Sequence, residues 1–175
     1  MGLLHGCWCR GYRRLRMTQL PASDADCGIC RKLQTASADS IIYENELWHV
    51  RAIDPPTGVP GWVMLISRRH VSGPAAFDDR EAASFGVTLR HLQRVLLEVT
   101  GALRIYTAAM GESSPHFHGH MVPRYAAMPK DAKAWGVFDL QRAASAGEID
   151  VDEAAAVRLA QAYSRALRAA PPPSR

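Results

Sequence analysis

The chain has 175 residues, 47% hydrophobic and 22% charged, a balance that suits one globular domain with its own core. No apolar run reaches the roughly 18–20 residues of a membrane helix, and the opening MGLLHGCWC lacks the length and leading charge of a secretory signal, so a cytoplasmic protein is expected. The net charge of +4 has a single origin: Arg10, Arg13, Arg14 and Arg16 stand in an acid-free stretch, and without them the basic residues only equal the 17 acidic ones. A neutral body argues against nucleic acid as the partner.

Residues 1–16 read as a basic, disordered tail, with Met17 as an alternative start, and residues 17–170 as a single domain. DADCGICRKLQT, near the domain entrance, reads as a short helix or turn. SIIYEN and ELWHVRAI are β-branched and aromatic, and read as strands separated by a polar turn around Asn45. DPPTGVPG is a loop by its proline and glycine content, and WVMLIS follows as a buried strand. Asp78 and Glu81 have the spacing of a capping box, after which Phe85, Leu89, Leu92, Leu96 and Val99 recur at helical intervals until TGA ends the run. LRIYTAAM reads as another strand, and the turn GESSP leads into a further strand that holds His116, His118 and His120. Beyond Arg124 the signal weakens, with KAWGVF around Trp135 and Phe138 fitting either a lid or core packing. A last amphipathic helix runs from about Asp152 to Leu167, and residues 171–175 read as disordered. The class is α+β: a mostly antiparallel sheet, one long helix packed on it and a C-terminal helix.

Side chains alternate along a strand, so 116, 118 and 120 are expected on one face, with Phe117 on the other and Gly119 leaving a gap beside it. Aligned imidazoles admit three readings: packing on a sheet face, a shared metal, or nucleophilic phosphoryl chemistry, since neutral imidazole is a competent nucleophile near pH 7. Cys27-x-x-Cys30 has the spacing of a zinc knuckle and needs two further ligands; in a reducing compartment it reads as metal or redox chemistry before a structural disulfide. Cys7 and Cys9 form a second pair in the tail.

The run His116-Phe117-His118-Gly119-His120-Met121-Val122, followed by Pro123-Arg124, resembles the signature of the histidine-triad (HIT) superfamily, in the manner of bacterial diadenosine tetraphosphate hydrolases. The likeness extends from about Cys27 to Arg124 and implies a HIT-like fold, a nucleotide substrate and a homodimer. It implies a catalytic set of His116, His118 and His120, in which His118 attacks a nucleotide α-phosphate, backbone contacts hold its ring, and His120 hydrogen-bonds the phosphate side; His116, if it binds a metal, leaves the other two as the working pair. By the same resemblance Ser113 contacts the phosphate or leaving group, and Asp54 holds the ribose hydroxyls. Two departures stand out. Gly119 replaces a larger apolar residue, which would loosen the wall behind the site. The strand before the triad lacks the family's asparagine, the only Asn being Asn45, so Glu112 or Ser114 would substitute. In several relatives, galactose-1-phosphate uridylyltransferases among them, a CxxC joins a histidine ending the central strand and the first histidine of the triad. Carried over, Cys27, Cys30, His70 and His116 would hold a structural zinc, with His49 as a spare candidate and no organic cofactor.

The function this implies is a nucleotidyl hydrolase or transferase. It would cleave a nucleoside monophosphate from a dinucleoside polyphosphate, a phosphoramidate or an adenylylated group through a nucleotidyl-histidine. The alternative is a nucleotide-binding adaptor with little turnover.

Overall fold

The computed structural model describes residues 26–36, 40–112 and 114–173. The expected tail, the alternative start at Met17, Cys7, Cys9 and Ser113 all lie outside these residues. The elements follow in the order α1 (Gly28–Thr35), β1 (Ile41–Glu44), β2 (Trp48–Ala52), β3 (Val63–Ser67), α2 (Asp79–Thr100), β4 (Arg104–Ala108), β5 (His118–Arg124), α3 (Gly136–Ser145) and α4 (Glu153–Ala169). The five strands form one antiparallel sheet in the order β1-β2-β3-β5-β4.

Local chemistry sets the connections. Asn45 turns β1 into β2 by accepting from the backbone N–H groups of Leu47 and Trp48 at 2.9 and 2.8 Å, which uses the chain's only asparagine side chain as a turn residue. α2 begins in the capping box the sequence announces: Asp78 accepts from the Glu81 N–H at 2.8 Å, and Glu81 accepts from the Asp78 N–H at 2.9 Å. Gly101, at φ 63°, ends the helix in the left-handed region, where a Cβ is disfavoured.

Strand alternation then gives the sheet two different faces. One carries Trp48, Val50, Val63, Leu65, Phe117 and Met121 against Leu92, Val95 and Leu96 of α2 and Tyr163 and Leu167 of α4, and is the main core. Its polar tips are satisfied: Trp48 Nε1 donates to Ser84 Oγ at 3.0 Å, and the Tyr163 hydroxyl donates to the Leu92 carbonyl at 2.8 Å. Gly119 lies on this face, and the room its missing side chain leaves is taken by the Phe117 ring, whose edge stands 3.3 Å from where a Cβ would be. The wall expected to be loosened at Gly119 is therefore filled by its own neighbour.

The opposite face carries two smaller apolar clusters. α1 seals one end with Ile29 and the two cysteines over Met64 and Ile66. Val137 of α3 covers the other end, packed with Val59, Trp62 and Val122. α3 was not legible in the weak signal after Arg124. It is seated by close approach, because a Cβ on Gly58 would fall 2.6 Å from the Leu140 carbonyl oxygen. The same glycine donates its N–H to Gln141 Oε1 at 2.9 Å. At the C-terminus Pro172 is buried, while Pro171 and Pro173 are exposed. Among those residues no helix is long and apolar enough to cross a membrane.

The capping box supplies a direct check on this account of α2. Asp78→Ala is expected to lower the unfolding free energy by about 1 kcal/mol, read as a reduced urea midpoint at unchanged slope.

Candidate functional site

β5 pairs with β3 so that His118 lies opposite Ile66 and His120 opposite Met64. Both histidines therefore emerge on the face away from α2 and α4. Their rings stand 5.4 Å apart and nearly perpendicular, at 78°. The strand begins only at His118, so His116 does not complete a row of three as the alternation predicts. It is fully buried and belongs to a second cluster beneath the first.

That second cluster is Cys27, Cys30, His70 and His116, whose four ligand atoms all lie within 4.8 Å of one another. Cys27 and Cys30 enter from the start of α1, both buried and not disulfide-bonded. His116 Nδ1 lies 3.6 Å from Cys27 Sγ and 3.3 Å from Cys30 Sγ, and His70 Nδ1 lies 3.2 Å from Cys30 Sγ. Ligands on a tetrahedral zinc, with bonds of about 2.3 Å to sulfur and 2.0–2.1 Å to nitrogen, are separated by roughly 3.5 Å, so the donor set and its spacing fit such an ion. These four residues could hold a metal. The other ring nitrogen of His116 donates to the Ser67 carbonyl at 2.7 Å, which leaves the Nδ1 lone pair pointing at the thiols. His49, the spare candidate, is outside this group. It is buried in β2 with Nδ1 3.4 Å from Glu44, and burial lowers its pKa despite that carboxylate.

The tautomers of the other two histidines follow from their partners. His118 Nδ1 donates to the His116 carbonyl at 2.7 Å, so its Nε2 keeps the lone pair. His120 Nδ1 accepts from Trp62 Nε1 at 3.1 Å. Burial, and next the neighbouring His118, push the His120 pKa down to about 4, so the ring is neutral at physiological pH. Phe138 of α3 closes over the same ring at 5.6 Å and carries the exposed Trp135 at 5.9 Å on its outer side. Neither Trp62 nor α3's place against His120 is visible in residue types alone; the only cue is that Trp62 has the parity of Met64 and Ile66 on the same strand run.

The remaining expected residues are more dispersed. Glu112 is exposed and Ser114 half-buried in the loop leading to His116. Asp54 follows β2 and is already engaged: Oδ1 accepts from Arg51 at 2.6 Å and Oδ2 from Lys32 of α1. Burial opposes ionisation there, but the Lys32 hydrogen bond and the charges of Arg51 and Lys32 outweigh it and hold the carboxyl below its usual range. Asp54 and Trp62 also border a cavity of about 670 Å³ between the ends of β1 and β2 and α4; neither His118 nor His120 lines it.

No protein-family model matches this sequence, and no curated protein matches it as a sequence relative. Solved structures do match. A Hit-like protein involved in cell-cycle regulation from Bartonella henselae superposes with a TM-score of 0.60 at 13% identity, covering 83% of this chain and 99% of that one. This chain has the histidine-triad fold. A zinc-bound histidine-triad family protein from Mycobacterium smegmatis agrees as well, with a TM-score of 0.60 at 19% identity over 85% of this chain and 99% of the other. A hypothetical histidine-triad nucleotide-binding protein from Sulfolobus tokodaii gives 0.59 at 14% identity, over 82% and 93%. The histidine-triad fold thus places the His118–His120 pair on the sheet face opposite its long helix.

A depressed histidine pKa has a defined effect on stability. The unfolded chain binds a proton at His120 near pH 6.5 and the folded chain only near 4, so this residue's contribution is present above about 6.5 and is lost as pH falls toward 4. His120→Gln is expected to flatten that part of the urea-midpoint profile relative to wild type, and a histidine NMR titration should place the His120 midpoint near 4.

Proposed function

We propose that the protein is a nucleotidyl hydrolase or transferase that forms a nucleotidyl-histidine at His118. The observation that carries this reading is the bond from His118 Nδ1 to the His116 carbonyl, which presents Nε2 as the unprotonated nitrogen beside a second, neutral histidine. The Nε2 lone pair forms a bond to the α-phosphorus as the bond to the leaving group breaks, and the leaving group departs with that electron pair. The carbonyl of His116 faces the Nδ1–H of the resulting imidazolium and stabilises its charge. Water or another acceptor then attacks phosphorus in line, and His118 leaves as neutral imidazole.

His120 supplies a hydrogen bond to a phosphoryl oxygen, Ser113 would contact the phosphate or leaving group, and Glu112 or Ser114 would orient the phosphate in place of the family's asparagine. Substrates of this chemistry are dinucleoside polyphosphates, nucleoside phosphoramidates and adenylylated carriers. Asp54 would hold the ribose hydroxyls. A homodimer is part of the same reading, supported by β4 standing at the sheet edge with Leu103 exposed at its start. The cytoplasmic assignment rests on the sequence alone.

Zinc is the metal we assign to Cys27, Cys30, His70 and His116. All four tetrahedral positions would be filled by protein, which makes the ion structural: it ties α1 to the end of β3 and to His116. Purified protein is expected to contain about one zinc per chain. Cys30→Ser should lose it together with several degrees of thermal stability, measured by elemental analysis and melting.

A second reading, a nucleotide-binding adaptor, draws on one observation. Both carboxylate oxygens of Asp54 are occupied by cations, so a ribose must displace or share one of them. Turnover decides between the two. Diadenosine tetraphosphate and adenosine phosphoramidate are offered to the zinc-loaded protein, and AMP is followed by chromatography. AMP release that falls by about three orders of magnitude or more in His118→Ala supports the nucleophile; nucleotide binding without AMP release favours the adaptor.

A further inference from the structure

Trp62 immediately precedes β3 and is 2% exposed. Its side chain projects from the face that carries Met64, and Met64 pairs with His120, so the indole is the diagonal cross-strand neighbour of that imidazole. The two rings meet edge to face at 5.6 Å and 83°, with Nε1–H donating to Nδ1 at 3.1 Å.

Indole nitrogen donates and cannot accept. A 3.1 Å bond from it therefore requires a lone pair on His120 Nδ1, and the single proton of the neutral ring must sit on Nε2. Rotating the His120 ring by half a turn would set a carbon against the indole N–H and leave a buried donor without a partner. The surroundings oppose that rotation: His118 flanks the ring at 5.4 Å and Phe138 at 5.6 Å, both nearly perpendicular to it. Trp62 is itself fixed by Phe138 at 5.1 Å and by backbone bonds from its N–H to the Val59 carbonyl and from the Ile53 N–H to its own carbonyl.

We propose that Trp62 is a positioning residue that locks His120 as a neutral donor with its proton on Nε2, so that the last histidine of the run hydrogen-bonds the transferring phosphoryl group and does not act as a base. The role in phosphoryl transfer rests on the nucleotidyl reading above; the tautomer lock does not. Burial and the adjacent His118 lower the His120 pKa to about 4, which keeps the ring neutral where tautomer choice matters. His118 and His120 thus present opposite chemistry at the same ring atom: a lone pair on Nε2 of one, a proton on Nε2 of the other.

The test is histidine ¹⁵N spectroscopy of the zinc-loaded protein at pH 7, beside steady-state kinetics. Wild type is expected to show His120 with an unprotonated Nδ1 and a protonated Nε2. Trp62→Phe keeps an aromatic ring but removes the donor, and should bring both nitrogens toward averaged shifts. Phe138→Leu removes the neighbouring wall and keeps the donor, and should leave the pattern in place. In turnover, Trp62→Phe should lower kcat by about 10- to 100-fold with KM changed by less than about threefold. A wild-type His120 protonated on Nδ1, or an unchanged pattern in Trp62→Phe, overturns the lock. Should Trp62→Phe fail to fold, the wild-type spectrum decides, with a scalar coupling between Trp62 Nε1 and His120 Nδ1 as the positive result. If wild type releases no AMP while the shifts behave as expected, the nucleotidyl reading falls and the tautomer lock stands.

Discussion

His116 meets partners in three directions, and the arrangement of the site depends on them. Its Nε2 donates to the Ser67 carbonyl, its Nδ1 faces the thiols of Cys27 and Cys30, and its own backbone carbonyl accepts from His118 Nδ1. One buried residue thus joins the end of β3, the start of α1 and the histidine next on the chain. A shift of its backbone would remove the acceptor that holds the proton on His118 Nδ1, and a shift of its ring would break the four-residue cluster. That coupling ties the four-residue cluster, which could hold a metal, to the orientation of the His118 ring.

The two faces of the sheet divide the work. Against α2 and α4 the strands bury Trp48, Leu65, Phe117 and Met121 in a core whose polar atoms are paired, and this supplies the bulk of the hydrophobic stabilisation. The other face is covered only in parts, by α1 at one end and by α3 at the other. His118 and His120 stand between those covers, half-buried on a strand whose opposite face is locked in the core. A rigid strand gives their rings fixed positions, and partial cover lowers the local dielectric enough to keep His120 neutral.

Around the imidazoles, three hydrogen-bond partners are of a kind that decides a proton's position. Backbone carbonyls can only accept and indole can only donate, so Ser67, His116 and Trp62 settle the tautomers of three neutral histidines. Asp54 follows a different logic. Its carboxylate is balanced by Arg51 and Lys32, which joins the end of β2 to α1 and makes the loop beyond it part of the same assembly as the cysteines.

Much of this was legible in the residues themselves. Asp78 and Glu81 announce the start of α2 because a capping box is a local device, formed within one turn of helix. Period-two patterning marks the strands, and the His-x-His-x-His run carries a resemblance specific enough to anticipate the fold and to bring Cys27, Cys30, His70 and His116 into one group. What the sequence could not decide depends on elements meeting across the sheet. α3 has no side-chain cap and forms where Gly58 lets the β2–β3 loop touch its backbone, a contact between residues more than 80 apart. The start of β5 at His118, which separates His116 from the other two, is set by pairing with β3. The same register brings Trp62 to His120, and packing alone moves the Phe117 ring into the room beside Gly119. Residue type and spacing determined which groups were present; the sheet register and the two covers determined which nitrogen of each holds the proton.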